Sequence, residues 1–153
     1  MRTLGGFTSS VTVHHKFVHS IPEGMPLEFA APLFCSGVGA YSAFKYYGFI
    51  GGEKRTVGIV GIGGMGTIGI KIAAAVGHEV IAISTNPAKE ELAKSKGASY
   101  FVVSSDPESV AKQAGKCDII LNMLSVPHDL KTYIPLLSKS GVLLQMGAVG
   151  APH

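Results

Sequence analysis

Three glycines in the stretch from residue 56 to residue 69 have the spacing of a phosphate-binding turn. Gly61, Gly63 and Gly66 occupy the pattern G-x-G-x-x-G. The first glycine allows a tight turn, the second lets the backbone approach a pyrophosphate, and the third lets a helix pack closely on a strand. The N–H groups and the positive dipole end of such a helix favour phosphate. The pattern indicates a dinucleotide site, with a structural glycine turn or another nucleotide-like ligand as alternatives.

The residues around these glycines predict the strand and the helix that such a site needs. The run from Thr56 to Val60 is short, apolar and rich in β-branched residues, which is typical of a buried strand. The apolar and small residues that follow recur at helical spacing. They are Met65, Ile68, Gly69, Ile72, Ala73 and Val76. The local order is therefore strand, glycine turn, helix.

The end of the next strand indicates which dinucleotide is bound. About 20 residues past the glycines, where NAD enzymes usually carry a carboxylate for the ribose 2′-hydroxyl, the chain has Ser84, Thr85 and Asn86, with Lys89 one turn later. Hydroxyls can donate hydrogen bonds to a 2′-phosphate and a lysine can neutralise it. These residues favour NADP(H) over NAD. The alternative is that Ser84 and Thr85 only cap the next helix.

Histidine and cysteine side chains raise the question of a metal. His14 and His15 are adjacent and would point to opposite faces of a strand, so a shared ion is not favoured and we expect His14, His15 and His19 to be exposed strand residues. Cys35 and Cys117 stand in apolar surroundings, where a lone cysteine is usually a small buried residue.

Composition excludes several classes of protein. Apolar residues make up 46% of the 153 residues and charged residues 15%, which excludes disorder and fits one globular domain. The formal charge of +3 comes without a basic run, so we expect no nucleic-acid partner. No apolar stretch is long enough to span a membrane, the start does not read as a signal peptide, and two distant cysteines fit a reducing compartment, so we expect a cytoplasmic protein.

The chain outside the glycine motif divides into further elements. Residues 6 to 21 predict one or two short strands, and helices are expected over residues 27 to 31 and 36 to 47, with an interruption near Pro32. Asn86-Pro87 and Asp106-Pro107 have the residues of a helix start. Gly77 and Gly97 are expected to end the two preceding helices, and a helix opened by Pro127, with Leu130, Ile134 and Leu137 buried, is expected to close at Gly141.

Five predicted strands alternate with these helices. They cover residues 56 to 60, 79 to 83, 100 to 103, 117 to 121 and 142 to 146. Short loops between alternating elements predict an α/β fold with a doubly wound parallel sheet, and five of the six strands of a full dinucleotide fold are found. We expect residues 1–25 to be the end of another domain's β segment and residues 26–153 to be an NADP-binding domain truncated at its C-terminus.

Several separated motifs together resemble the zinc-dependent medium-chain alcohol dehydrogenases, and most of all their cinnamyl alcohol dehydrogenase subfamily. The motifs are Gly5-Gly6-Phe7, residues 30 to 37, residues 57 to 66, Gly97-Ala98, Leu121-Asn122 and Val126-Pro127-His128. They follow the family's order over nearly the whole chain. The resemblance implies an enzyme that moves a hydride between NADPH and an aldehyde, with a zinc ion in the full-length form.

The resemblance also implies roles for individual residues. It implies that Cys35, in the family's Pro-Leu-x-Cys-x-Gly motif, is a ligand of the catalytic zinc, whereas Cys117 matches no ligand position. The implied pyrophosphate contacts are Gly63, Gly64, Met65 and Gly66, and the implied 2′-phosphate contacts are Ser84, Thr85 and Lys89. The implied nicotinamide loops are Leu124, Ser125 and Val126 with Gly147, Ala148 and Val149.

The family's remaining zinc ligands and proton-relay residues match no position of this chain, so we expect the chain alone neither to hold zinc nor to catalyse. The resemblance further implies a small-molecule alcohol or aldehyde as substrate and a homodimer for the full enzyme. A free-standing dinucleotide-binding module without catalysis is the main alternative. An S-adenosylmethionine methyltransferase is disfavoured because such enzymes prefer an acid where this chain has Ser84.

Overall fold

A parallel five-stranded sheet organises the molecule, whose computed structural model describes residues 6–148. The strands are β1 Thr56–Val60, β2 Glu79–Ser84, β3 Tyr100–Val103, β4 Cys117–Asn122 and β5 Leu137–Gln145. Their order across the sheet is β3-β2-β1-β4-β5, and every neighbouring pair is parallel. This is the order of the first five strands of a dinucleotide fold, so the predicted α/β architecture is confirmed.

Helices cover both faces of the sheet. The α-helices are α1 Leu27–Pro32, α2 Val38–Tyr46, α3 Gly64–Ala75, α4 Glu90–Ser95 and α5 Pro107–Ala111. Alternate residues of β1 enter opposite cores: Val57 and Ile59 pack in the core that also contains Phe44 and Ile70, whereas Val60 packs in the other. Burial on both faces is why these strands read as continuous apolar runs.

Four predicted helix boundaries around the sheet are confirmed: the starts at Asn86 and Asp106 and the ends at Gly77 and Gly97. The Asn86 side chain accepts a hydrogen bond from Ala88 N at 3.0 Å, and the Asp106 side chain accepts one from Glu108 N at 3.0 Å. Gly77 and Gly97 have φ values of +92° and +108°, which favour glycine after a helix. The caps at Asn86 and Asp106 therefore mark where the loops after β2 and β3 end.

The strands predicted over residues 6 to 21 are wrong. The structure forms only a 3₁₀ turn there, His15–Phe17, and the side chains from residue 6 to residue 21 are exposed. A strand needs a neighbour for its backbone N–H and C=O groups, and none of residues 6–148 pairs with this segment. The assignment of residues 1–25 to another domain stays a prediction.

The predicted interruption near Pro32 is confirmed for the α-helix, since α1 ends there and α2 begins at Val38, but the chain between them stays helical. A π turn, Leu33–Gly37, joins α1 to α2 and contains Cys35. A π turn widens the helix by one residue, which offers a way to continue past a proline that lacks an N–H group.

The helix predicted after Pro127 is replaced by two 3₁₀ turns, Leu130–Thr132 and Ile134–Leu136. Pro135 removes a backbone donor from this segment, and Leu130 and Ile134 are exposed, so no continuous apolar helix face is buried. The fifth strand begins at Leu137 and includes Gly141, which was expected to end the helix.

Candidate functional site: a groove at the carboxyl ends of the strands

The glycine turn between β1 and α3 forms one wall of a groove. Gly61 has a φ of +87° and its N–H donates to Ile83 O at 3.0 Å. A Cβ on Gly66 would overlap the carbonyl oxygen of Gly61, so only glycine allows α3 to start this close to the strand. A Cβ on Gly63 or Gly64 would meet no protein atom within 4 Å. The second glycine therefore faces open space, where a ligand has room.

The groove itself has a volume of about 340 Å³ and lies between the glycine turn and the loop after β4. Its lining residues are Gly61, Ile62, Gly63, Gly64, Met65, Gly66, Lys89, Met123, Leu124, Ser125 and Val126. The first N–H groups of α3 have no partner within the helix and lie at this wall. The groove can therefore accept a phosphate by the rules that govern helix N-termini.

A second cavity of about 190 Å³ adjoins the first at the end of β2. Its polar lining includes Ser84, Thr85, Asn86, Lys89 and Ser104, and no carboxylate lines it. Asn86 makes the side-chain cap of the following 3₁₀ turn, while Ser84 Oγ accepts from Asn86 N at 3.2 Å. The capping role proposed as an alternative for Ser84 and Thr85 thus belongs to Asn86.

Lys89 and Tyr133 shape the same cavity. The Lys89 ammonium group donates to Ile62 O at 2.9 Å, and Lys89 lines both cavities, which places one positive charge at their boundary. Tyr133 is buried, and burial raises the pKa of its hydroxyl, an effect opposed by a hydrogen bond with Ser104. Tyr133 therefore adds a neutral aromatic side chain to the cavity wall.

The loops after β4 and β5 meet beside the groove. A Cβ on Gly147 would overlap Leu124 O, and a Cβ on Gly61 would lie 2.7 Å from Leu124 Cδ2, so Leu124 is enclosed between two glycines. Ser125, Val126 and Ala148 are exposed. The structure brings these predicted residues to the same edge as the glycine turn, and Val149 lies outside the described residues.

Three polar side chains behind these loops were not predicted as site residues. They are Asn122, His128 and Gln145, and they form one hydrogen-bonded cluster. The available sequence signal was the asparagine that follows the apolar run 119–121 at the end of β4, because a fully buried polar side chain needs partners.

The predicted metal ligand does not form a metal site with the rest of residues 6–148. Cys35 is exposed in the π turn, and this part of the chain contains no group of three or more His, Cys, Asp or Glu residues that could hold an ion. Since catalytic zinc takes three protein ligands, the residues present do not fit zinc. His19 stacks on Phe34 with ring centroids 5.3 Å apart, and His14 and His15 are exposed but not in a strand.

Cys117 differs from Cys35 in burial and in its place in the fold. It is fully buried at the start of β4, and burial together with the neighbouring Asp118 charge raises the pKa of its thiol to about 12. The expected buried thiol is confirmed. Within residues 6–148, no helix combines the length and apolar character required to cross a membrane.

Comparison with known proteins identifies similar chains. Residues 64–153 match the family model described as zinc-binding dehydrogenase. The chain is 46% identical over 151 residues to a probable cinnamyl alcohol dehydrogenase from Populus deltoides, covering 98% of this chain and 42% of that relative. It therefore spans less than half of the relative's length.

Two solved structures share the fold. A cinnamyl alcohol dehydrogenase from Sorghum bicolor superposes with a TM-score of 0.74 at 36% identity, covering 80% of this chain and 35% of that one. The CAD from Helicobacter pylori complexed with NADP(H) gives a TM-score of 0.72 at 32% identity, covering 85% and 36%.

Proposed function

The chain belongs to the zinc-binding dehydrogenase family, as its motifs predicted, and we propose that it is the NADP(H)-binding part of an alcohol dehydrogenase. Relatives support this: one is a probable cinnamyl alcohol dehydrogenase and another was solved with NADP(H). Since the chain spans 42% of the first relative's length, the interconversion of alcohols and aldehydes is proposed for the whole enzyme. Cofactor binding is proposed for this chain.

The observation that carries the proposal is the open side of the glycine turn. Gly63 and Gly64 leave room where a Cβ would project, whereas Gly66 brings the start of α3 close to β1. We assign the pyrophosphate to the turn that Gly61 opens, where the backbone N–H groups of Gly63, Gly64, Met65 and Gly66 can donate to its oxygens.

The cavity at the end of β2 supports a preference for the 2′-phosphate. Its polar lining of Ser84, Thr85 and Lys89 offers donors and one positive charge, and it contains no carboxylate that would repel a phosphate. A bound 2′-phosphate would either replace Ile62 O as the acceptor of the Lys89 ammonium group or accept from that group alongside it. NADP(H) is therefore the proposed cofactor rather than NAD(H).

The nicotinamide end is assigned to the loops after β4 and β5. These loops supply Leu124, Ser125 and Val126 with Gly147, Ala148 and Val149. Bound between these loops, NADPH would supply the hydride for reduction of an aldehyde to an alcohol by the whole enzyme. The two loops would orient the nicotinamide ring and exclude water from one face.

Cys35 is proposed as one zinc ligand of the whole enzyme. Because residues 6–148 provide no three-ligand group, we propose that the chain alone does not hold zinc and does not catalyse. A cytoplasmic homodimer acting on small-molecule alcohols or aldehydes remains the proposal for the whole enzyme.

Calorimetric titration of the 153-residue chain with NADPH and with NADH tests the cofactor assignment. NADPH should bind more tightly, and Lys89→Ala should remove about tenfold or more of that preference, because a hydrogen bond to a charged group contributes about 1.5–3 kcal/mol. Lys94→Ala is the matched control, since Lys94 lies on α4 and pairs with Glu90 at 2.7 Å.

Tighter binding of NADH by the unmodified chain would contradict the assignment of the 2′-phosphate. A dinucleotide-binding module without catalysis is the second candidate, and the lack of a three-ligand group in residues 6–148 favours it. A natural reading frame that ends at His153 would support that module. A longer frame that supplies further zinc ligands would support the dehydrogenase.

A further inference from the structure

Asn122, His128 and Gln145 form a hydrogen-bond network at the carboxyl ends of β4 and β5, in which Asn122 bonds both other side chains. Asn122 Nδ2 lies 2.7 Å from Gln145 Oε1 and 2.5 Å from His128 Nε2, so its two hydrogens have two acceptors. Asn122 Oδ1 accepts from Leu124 N at 3.2 Å. The Asn122 side chain is fully buried and uses every donor it has.

The network assigns the tautomer of His128. Its Nδ1 lies 2.6 Å from Val126 O, a carbonyl that can only accept, so Nδ1 carries the proton. Its Nε2 then accepts from Asn122 Nδ2, which can only donate. The arrangement therefore needs the neutral ring, held in one orientation by one backbone and one side-chain partner.

Gln145 joins the two loops to each other. Its Nε2 donates to Leu124 O at 3.0 Å, in the loop after β4, and to Gly147 O at 2.8 Å, in the loop after β5. Asn122 O adds two further bonds, accepting from Met146 N at 2.8 Å and from Gly147 N at 3.1 Å. The separation of the two loops is thus set jointly by the Gln145 side chain and the Asn122 backbone carbonyl, and neither residue lines the groove.

The atoms held by this network belong to the loops that we assign to the nicotinamide. Leu124 is bound through both its N–H and its C=O, and Val126 and Gly147 are each bound through the C=O. By contrast, none of the three side chains lines the cavity that contains Ser84, Thr85 and Lys89. Leu124 lines both cavities, but the network bonds only its backbone N–H and C=O groups, so the network acts directly on the two loops and on no polar side chain of the adenosine end.

We propose that Asn122, His128 and Gln145 are positioning residues that set the spacing of the two loops and so the pose of the nicotinamide ring, without contributing to the adenosine end. This inference rests on the proposed function, because it needs NADP(H) in the groove. The ring has to be held rigidly for hydride transfer, and a loop shift that leaves affinity for the rest of the cofactor intact would still misplace it.

The test compares a ligand that has a nicotinamide with one that lacks it. NADPH and 2′,5′-ADP, which carries only the phosphorylated adenosine end, are titrated into the unmodified chain and into Gln145→Ala. Gln145 is exposed, so its truncation leaves no cavity, but it removes the acceptor of one Asn122 Nδ2 hydrogen, and an unfolding titration of the variant therefore accompanies the binding measurement. We expect NADPH to bind about tenfold more weakly and 2′,5′-ADP to bind unchanged, since two hydrogen bonds to the loops are lost.

Further variants separate positioning from general loosening. Gln145→Glu keeps the shape but cannot donate to Leu124 O and Gly147 O, so it should behave like Gln145→Ala. His128→Ala should reduce NADPH binding in the same selective way. Gln113→Ala is the matched control, because Gln113 contacts Lys116 and lines neither cavity. The fluorescence of bound nicotinamide should move towards that of free NADPH in the three network variants only.

The outcomes are distinguishable. If the unmodified chain binds neither ligand, the proposed function fails. If it binds both, and Gln145→Ala weakens both equally or weakens neither, the function stands and the positioning role is overturned. If Gln145→Ala alters folding, Gln145→Glu and His128→Ala decide, since they remove different bonds of the network. A selective loss of NADPH binding in both variants supports the positioning role, and an equal loss of both ligands or no loss overturns it.

Discussion

Two regions of the molecule contain the same kinds of apolar side chain but differ in whether they bury them. They are the sheet region, residues 56–146, and the N-terminal region, residues 6–36. In the sheet region Ile59, Ile83 and Leu121 are completely buried. In the N-terminal region the large apolar side chains are exposed; they are Phe7, Val11, Val13, Phe17, Val18, Ile21, Leu27, Phe29, Leu33 and Phe34. An apolar pattern alone therefore does not predict burial, because burial also needs a second surface.

The two cysteines repeat this difference on a small scale. Cys117 is enclosed at the start of β4, whereas Cys35 is exposed in the π turn between α1 and α2. A contiguous exposed apolar surface is uncommon on a monomeric protein. Because truncating a buried side chain costs more stability than truncating an exposed one, we expect substitutions to affect stability strongly in the sheet region and weakly in the N-terminal region.

The largest expected effect comes from the same substitution made once in each region. Leu121→Ala should lower the free energy of unfolding by about 2–5 kcal/mol, because Leu121 is 0% exposed and its truncation leaves a cavity between β4 and the helices. Leu27→Ala, at a side chain that is 70% exposed, should change it by less than about 0.5 kcal/mol. Urea unfolding followed by far-ultraviolet circular dichroism measures both.

Equal losses in the two variants would break the comparison, since they would mean that Leu27 is covered in solution. A second copy of the chain could provide such cover, so the unfolding should be repeated at several protein concentrations. A loss for Leu27→Ala that grows with concentration would indicate association through the N-terminal region.

The predictions that succeeded rested on signals within a few residues of each other. The bounds of β1 and β3 and the caps at Asn86 and Asp106 were predicted because the signals are local: a β-branched run, or an Asx residue before a proline. The glycine turn was also predictable, since positive φ and close approach both demand glycine.

The failures occurred where a pattern depended on distant partners. Residues 6 to 21 have the composition of strands but find no neighbouring strand within residues 6–148. Leu130, Ile134 and Leu137 have helical spacing, yet Pro135 and the early start of β5 replace that helix by 3₁₀ turns. The network of Asn122, His128 and Gln145 joins three segments, and no spacing rule connects them.

A smaller effect separates folding from binding within the sheet region. Gly66→Ala places a Cβ against the backbone of Gly61, so we expect a loss of about 1–3 kcal/mol in the free energy of unfolding together with lost NADPH binding. Gly63→Ala adds a Cβ that meets no protein atom within 4 Å. It should fold normally and still lose NADPH binding, because the Cβ would occupy the space of the pyrophosphate.

Unfolding titrations and calorimetry on both variants check this pair. If Gly63→Ala binds NADPH as tightly as the unmodified chain, the pyrophosphate does not lie over the turn. If Gly66→Ala is as stable as the unmodified chain, the turn can relax, and the close approach of α3 to β1 is not required for the fold.

A dependence on alkaline pH sharpens the contrast between the two cysteines. Burial and Asp118 raise the pKa of the Cys117 thiol from 9.0 to about 12, so above pH 9 the unfolded chain loses this proton while the folded chain keeps it. The thiol's contribution to stability is therefore complete below that pH and should decline as the pH rises from about 9 towards 12, where the folded thiol ionises too. Unfolding titrations across this range, on the unmodified chain and on Cys117→Ala, isolate the decline, because all other titrating groups are shared.

Cys35→Ala is the matched control for this measurement. Cys35 is exposed, so the variant should keep the same alkaline decline as the unmodified chain and should lose only the thiol that reacts quickly with an added disulfide reagent. Cys117 should react only as the chain unfolds. A rapid reaction of two thiols in the folded chain would mean that the start of β4 opens readily, and the sheet region would then resemble the N-terminal region rather than contrast with it.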